Sequence, residues 1–154
     1  TRALRALRVE SAEGGSASSV AWQVDAKFLL RKDRHVASPT FSLHLGPSGA
    51  RASFKIAIYA SDMGSFLKSG GRGHIQLKCA ENIEASGPVS FCVYAGRDGE
   101  VGRASRLRGP FPHNFATNSV ARAPKGEDLF DFRSAVDPAS GTFEVGFDLA
   151  FIDA

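Results

Sequence analysis

The sequence predicts an all-β protein, an antiparallel β-sandwich of seven to eight strands, and three observations carry that expectation. In residues 38–60, Phe41, Leu43 and Leu45, then Phe54, Ile56 and Ile58, take every second position on either side of a Gly46-Pro47-Ser48-Gly49 turn. Alternation with period two marks strands that bury one face, and a Gly/Pro break between two such runs marks a hairpin. In residues 142–152, Phe143, Val145, Phe147, Leu149 and Phe151 alternate without interruption. Finally, no long amphipathic helical pattern competes, while Gly, Pro and Ser punctuate the chain at short intervals. Short strands with frequent turns pack as a sandwich.

Taken in order, the chain begins with Arg2, Arg5 and Arg8 spaced three apart, Leu4 and Leu7 between them, and no acid before Glu10. Residues 1–19 are expected to form a basic N-terminal arm with a Gly/Ser spacer at 13–19, and residues 20–154 the sandwich domain. An acid-free Arg/Ala/Leu start resembles what remains beside a removed organellar targeting peptide, which points to a plastid or mitochondrion; the alternative is a solvated basic tail of a cytoplasmic protein. The arm is expected to dock on another chain. Val20, Trp22 and Val24 give the first strand, over residues 20–26. Residues 28–38 mix an apolar patch with Arg31, Lys32, Asp33 and Arg34 and read as a loop or short helical turn that leads into the hairpin.

A loop follows at 61–73, with Phe66 and Leu67 folding back onto the sandwich edge. Strands are expected at 73–80, with Ile75, Leu77 and Cys79 inward, and at 89–96, with Val89, Phe91, Val93 and Ala95 inward. Residues 97–109 form the most basic loop, gathering Arg97, Arg103, Arg106 and Arg108 against Asp98 and Glu100. Without interleaved aromatics this reads as a solvated hairpin tip rather than a phosphate site. A short strand at 111–116, a turn-rich link at 121–127 and a strand or helical turn at 129–135 precede the closing strand.

At 154 residues the chain can bury one core without disulfides or metals. Twelve Phe against one Trp and two Tyr make phenylalanine the main filler of that core. The net charge of +3, from 19 basic and 16 acidic residues spread along the chain, falls short of the concentrated stripe of a nucleic-acid binder. No apolar run approaches the ~20 residues of a membrane helix, so no membrane span is expected. Cys79 keeps the parity of Ile75 and Leu77, whereas Cys92 is out of phase with Phe91 and Val93, so two free thiols on different faces are expected.

The order of landmarks resembles the MATH domain, the TRAF-like eight-stranded β-sandwich. Val20-Ala21-Trp22-Gln23-Val24 is similar to that family's opening Trp strand, and Ser38-Pro39-Thr40-Phe41 to its Ser-Pro-x-Phe element. Phe54-Lys55-Ile56-Ala57-Ile58-Tyr59 matches its apolar-basic-apolar strand ending in Tyr. Ile75 to Cys79 and Val89 to Val93 follow in the family's order, and Phe130-Asp131-Phe132 stands where the family has a Trp-Gly-Phe element. No Tyr-Pro-x-Gly turn follows Tyr59. The resemblance implies a module that binds extended peptides or serves in assembly, with a peptide groove running near Phe130 and Phe132.

The chemistry-bearing residues suggest no reaction. His35, His44, His74 and His113 lack metal-ligand spacing with one another or with a Cys, so neither metal nor cofactor is expected. Glu144 and Asp148 share a face of the closing strand about 14 Å apart, too far for paired acid/base work, and are expected to face solvent. The Ser69-Gly70-Gly71-Arg72-Gly73 run precedes a strand and lacks the helix a phosphate cradle uses. The reading is a noncatalytic interaction module, an accessory or stabilising subunit of a larger complex, peripheral to a membrane if organellar. The alternative is a ligand- or carbohydrate-binding sandwich, with only Tyr59 and Tyr94 to stack on sugars. For the interaction module, the candidate partner-binding residues are Arg2, Arg5 and Arg8 of the arm, Arg103, Arg106 and Arg108 of the basic loop, and Phe130 and Phe132.

Overall fold

The structure is a computed structural model, and it describes residues 7–11, 17–44, 51–61, 64–81, 88–96 and 107–151. They form two antiparallel sheets packed face to face. The first runs in the order β1 (Leu7–Ser11), β2 (Ala17–Asp25), β11 (Thr142–Phe151), β7 (Val89–Gly96), β8 (Arg108–His113). The second contains β10 (Phe130–Asp131), β6 (Arg72–Cys79), β5 (Arg51–Ala60) and β3 (His35–Ala37) in that order, with β4 (Phe41–His44) also on β5 and β9 (Val120–Ala121) on β6. The expected all-β sandwich is observed, with eleven strands among the described residues instead of seven or eight. The surplus comes from pieces of two or three residues and from β1.

Alternation explains the long strands. β11 turns Phe143, Val145, Phe147 and Leu149 inward against Val20, Trp22 and Val24 of β2, and all seven are buried. Across the sandwich, Ala52, Phe54, Ile56 and Ile58 of β5 and Ile75, Leu77 and Cys79 of β6 supply the facing layer. Burying each Phe or Ile side chain contributes roughly 1.5–3 kcal/mol, so this double layer is the main stabilising element. Aromatic contacts tie its ends. Phe132 sits 5.4 Å from Phe143, 6.2 Å from Phe130 and 6.4 Å from Phe66 between ring centroids. At the other end, Phe91 touches Phe111 and Phe147 at 5.6 and 5.8 Å.

Residues 7–11, expected within the basic arm, form edge strand β1, paired along β2 from Leu7↔Trp22 to Ser11↔Ser18. An edge strand buries little, which is why its one central apolar residue, Val9, is 38% exposed and left no core signal. Phe66 does fold back, fully buried in the single turn α1 (Phe66–Ser69), while Leu67 stays half exposed. Cys79 and Cys92 are both free, one buried and one half-buried on the opposite face.

Glu144 corrects an expectation. It faces away from the core, as the alternation requires, yet is only 3% exposed. Tyr94 of β7 reaches across Gly146 of β11, where an added Cβ would lie 2.5 Å from the tyrosine ring, and donates its hydroxyl to Glu144 Oε2 at 2.6 Å. Arg8 of β1 donates to Glu144 Oε1 at 2.6 Å. The outer face of the first sheet is therefore covered here by a hydrogen-bonded Arg-Glu-Tyr cluster.

Candidate functional site

Of the eight residues singled out from the sequence, Arg2, Arg5, Arg103 and Arg106 lie outside the described residues. The other four have intramolecular roles. Arg8 pairs with Glu144. Arg108 places its guanidinium 3.8 Å over the Phe130 ring and donates Nη1 to the carbonyls of Glu127 and Leu129 at 2.9 and 2.6 Å. Phe130 is 4% exposed and Phe132 fully buried, so the two rings expected along a partner groove are core instead. Phe130 and Phe132 share one face on either side of the exposed Asp131, and that face is turned into the sandwich, where Phe132 stacks on Phe143.

Burial raises the Cys79 thiol, the Glu81 carbonyl bond opposing it, and burial together with Asp148 raises Cys92. Both are poor nucleophiles at neutral pH. Among the described residues no group of three or more His, Cys, Asp or Glu is placed to hold a metal. On the outer face of the second sheet, Tyr59 lies between His35 (5.4 Å, 19°) and His74 (5.2 Å, 9°), with Lys78 Nζ at its hydroxyl. Both faces of the tyrosine ring are taken by the flanking imidazoles. Tyr94, the other tyrosine, is 2% exposed.

A groove of about 890 Å³ opens to solvent at the side of the sandwich, between the end of β2 and β3. Its apolar lining comes from Trp22 and Val24 of β2, Phe28 and Leu30 of the 3₁₀ turn Ala26–Leu30, and Val36 and Pro39 beside β3. The chain crosses here from one sheet to the other. Asp25 starts the turn by accepting the Lys27 N–H on Oδ1 at 2.9 Å, and Ala26 N–H is held by Gly141 O at 2.9 Å. Leu29 fills the core at 3% exposure, but three consecutive apolar residues cannot all point inward, and Leu30 is left 63% exposed. The adjoining Leu67, 50% exposed, is tied to the same segment by its N–H to Arg31 O at 3.0 Å.

In and beside this groove, Lys27, Arg31, Lys32 and Arg34 outnumber Asp25 and Asp33. Arg31 stacks on Phe28 at 5.1 Å and pairs with Asp33 at 3.1 Å, whereas the exposed Lys27, Lys32 and Arg34 enter no ion pair among the described residues. The sequence reading missed this site because a groove forms where two sheet edges fail to meet. Its one linear cue was the Phe28-Leu29-Leu30 run followed by Arg31, Lys32 and Arg34. No helix among the described residues is long and apolar enough to cross a membrane. No protein-family model matches this chain, and no curated protein matches it.

Proposed function

We propose that the chain is a noncatalytic protein–protein interaction module, MATH-like in the order of its landmarks, that serves as an accessory subunit by holding a partner segment in the groove between β2 and β3. The observation that carries this reading is an open apolar groove with a large aliphatic side chain, Leu30, 63% exposed on its wall. Leaving Leu30 in water forgoes about 2 kcal/mol of burial that a partner can recover. Absence of catalysis is supported by how the described polar groups are used: Glu144, Tyr94 and Arg8 satisfy one another, and the thiols are raised by burial. Carbohydrate stacking has little support, since Tyr59 is sandwiched and Tyr94 buried.

Panning a displayed peptide library and probing a glycan array, each with wild type and Leu30→Asp, tests the reading. Peptides should be enriched on wild type and lost on Leu30→Asp, while the melting temperature of the variant stays unchanged, because an exposed side chain contributes little to folding. Failure to enrich any peptide that depends on Leu30, or glycan binding indifferent to it, overturns the proposal.

A further inference from the structure

We infer that the partner segment binds as an added strand on the free edge of β3, and that it is an extended peptide with apolar residues at alternate positions and acidic residues flanking them. This deepens the groove reading above and rests on it. Main-chain bonding on one side of β3 is complete: Ser38 N–H reaches Ile56 O at 2.8 Å and Ala60 N–H reaches Arg34 O at 2.8 Å, with Val36 opposite Ile58 between them. In an antiparallel ladder alternate residues bond to opposite sides, so His35 and Ala37 turn their N–H and C=O groups away from β5. Both residues are exposed, β3 pairs with no other described strand, and neither backbone is bonded elsewhere among the described residues.

A strand laid along that edge extends the second sheet by one. Its side chains at every second position then enter the groove on the same side as Val36, against Phe28 and Leu30, while the others point outward beside His35. Pro39, which has no N–H, ends the usable edge. The connection into β3 sets the charge preference. Lys32 and Arg34 lead directly into β3 and Lys27 stands on the groove wall, all exposed and outside any described ion pair; of the acids nearby, Asp33 is held by Arg31, and Asp25 on the groove wall accepts the Lys27 N–H. α1 fixes the backbone of this connection through Phe66 N–H to Asp33 O and Leu67 N–H to Arg31 O, both 3.0 Å. Anchored backbone and unpaired cations favour acidic flanks. They disfavour the chain's own first six residues, which carry Arg2 and Arg5 and no acid.

The test is fluorescence polarisation on the full chain with a labelled peptide, Glu-Asp-Val-Thr-Val-Thr-Val-Glu-Asp. Its companions are a Lys-flanked copy and a copy N-methylated at alternate backbone positions. Ala37→Pro removes only an N–H that points to the open edge, a position where strands tolerate proline. It should weaken the acidic peptide about tenfold or more without moving the melting temperature, and one N-methylated register should fail similarly. Lys32→Glu with Arg34→Glu should shift preference to the Lys-flanked copy. Binding abolished by Leu30→Asp but untouched by Ala37→Pro and by N-methylation would overturn strand addition and leave the groove reading standing. No Leu30-dependent binding of any peptide would remove both. Binding that emerges only after deletion of residues 1–6, or a dimer that Ala37→Pro dissociates, would assign the edge to the chain's own N-terminus or to a second copy and overturn the peptide proposal.

Discussion

Two surfaces of this sandwich invert each other. On the outer face of the first sheet, polar groups are buried and bonded together: Glu144 at 3% exposure receives Tyr94 and Arg8 at 2.6 Å each. At the crossover from β2 to β3, an apolar side chain stands in water at 63% exposure, and Lys32 and Arg34 on the segment that follows enter no ion pair among the described residues. A buried polar group is tolerated only when its hydrogen bonds are made, so the first arrangement is a device of the fold. An exposed apolar wall beside cations adds nothing to the isolated chain. The contrast separates residues kept for stability from residues available for contact, a distinction that residue type alone does not make.

The sharpest way to break the contrast is Glu144→Ala. It removes the carboxylate to which the Tyr94 hydroxyl and Arg8 both donate, and should cost about 2–3 kcal/mol in urea unfolding while leaving groove binding unchanged. A loss below 0.5 kcal/mol would show that the cluster is not structural. A smaller effect separates matched charge reversals. Arg8→Glu sets a carboxylate against buried Glu144 and should cost on the order of 1–2 kcal/mol, discounted because Arg8 is itself 56% exposed. Arg34→Glu, with no ionic partner among the described residues, should stay within about 0.5 kcal/mol. Equal losses from both reversals would erase the distinction.

The same contrast explains what was legible in the sequence. β5, β6, β7 and β11 were readable to within a few residues because one face of each is core, and a core imposes period two. β1 was not, since an edge strand is specified by the neighbour it pairs with more than by its own pattern. Period two placed Glu144 correctly on the outer face. It carried no information that Gly146 would let a tyrosine from β7 lie across that face. Phe130 and Phe132 were legible as aromatics two apart and so on one face, but nothing in their spacing said that this face would be the one packed on Phe66 and Phe143. The groove was the least legible of all, because its lining is gathered from residues 22–30, 36–39 and 140–142, which only the folded chain brings together.

His113 is an intermediate case that sharpens the comparison, being neither fully buried nor free. Its ring stands edge-on to Phe115 at 4.6 Å and Phe91 at 6.2 Å, and its Nε2–H donates to Asn118 O at 2.8 Å. Burial among these rings lowers its pKa below 6.5, and the Asn118 bond only partly offsets that. Between the folded value and 6.5 the unfolded chain binds a proton that the folded chain refuses. Stability is therefore fully present above about pH 6.5 and declines as pH falls through the window below it, levelling off once the folded ring is protonated as well. Asp128, held below its usual range because the Arg122 and backbone bonds outweigh its burial, acts with the same sign only below about pH 4, outside the range from pH 7 to pH 5 over which His113 is read. Urea midpoints between pH 7 and pH 5 should fall modestly for wild type, and the slope should flatten in His113→Phe, which keeps an aromatic ring at Phe115 and Phe91 but cannot titrate. A slope unchanged in His113→Phe would mean that the imidazole is as well solvated as the cations beside the groove, and would move His113 from the structural side of the contrast to the exposed one.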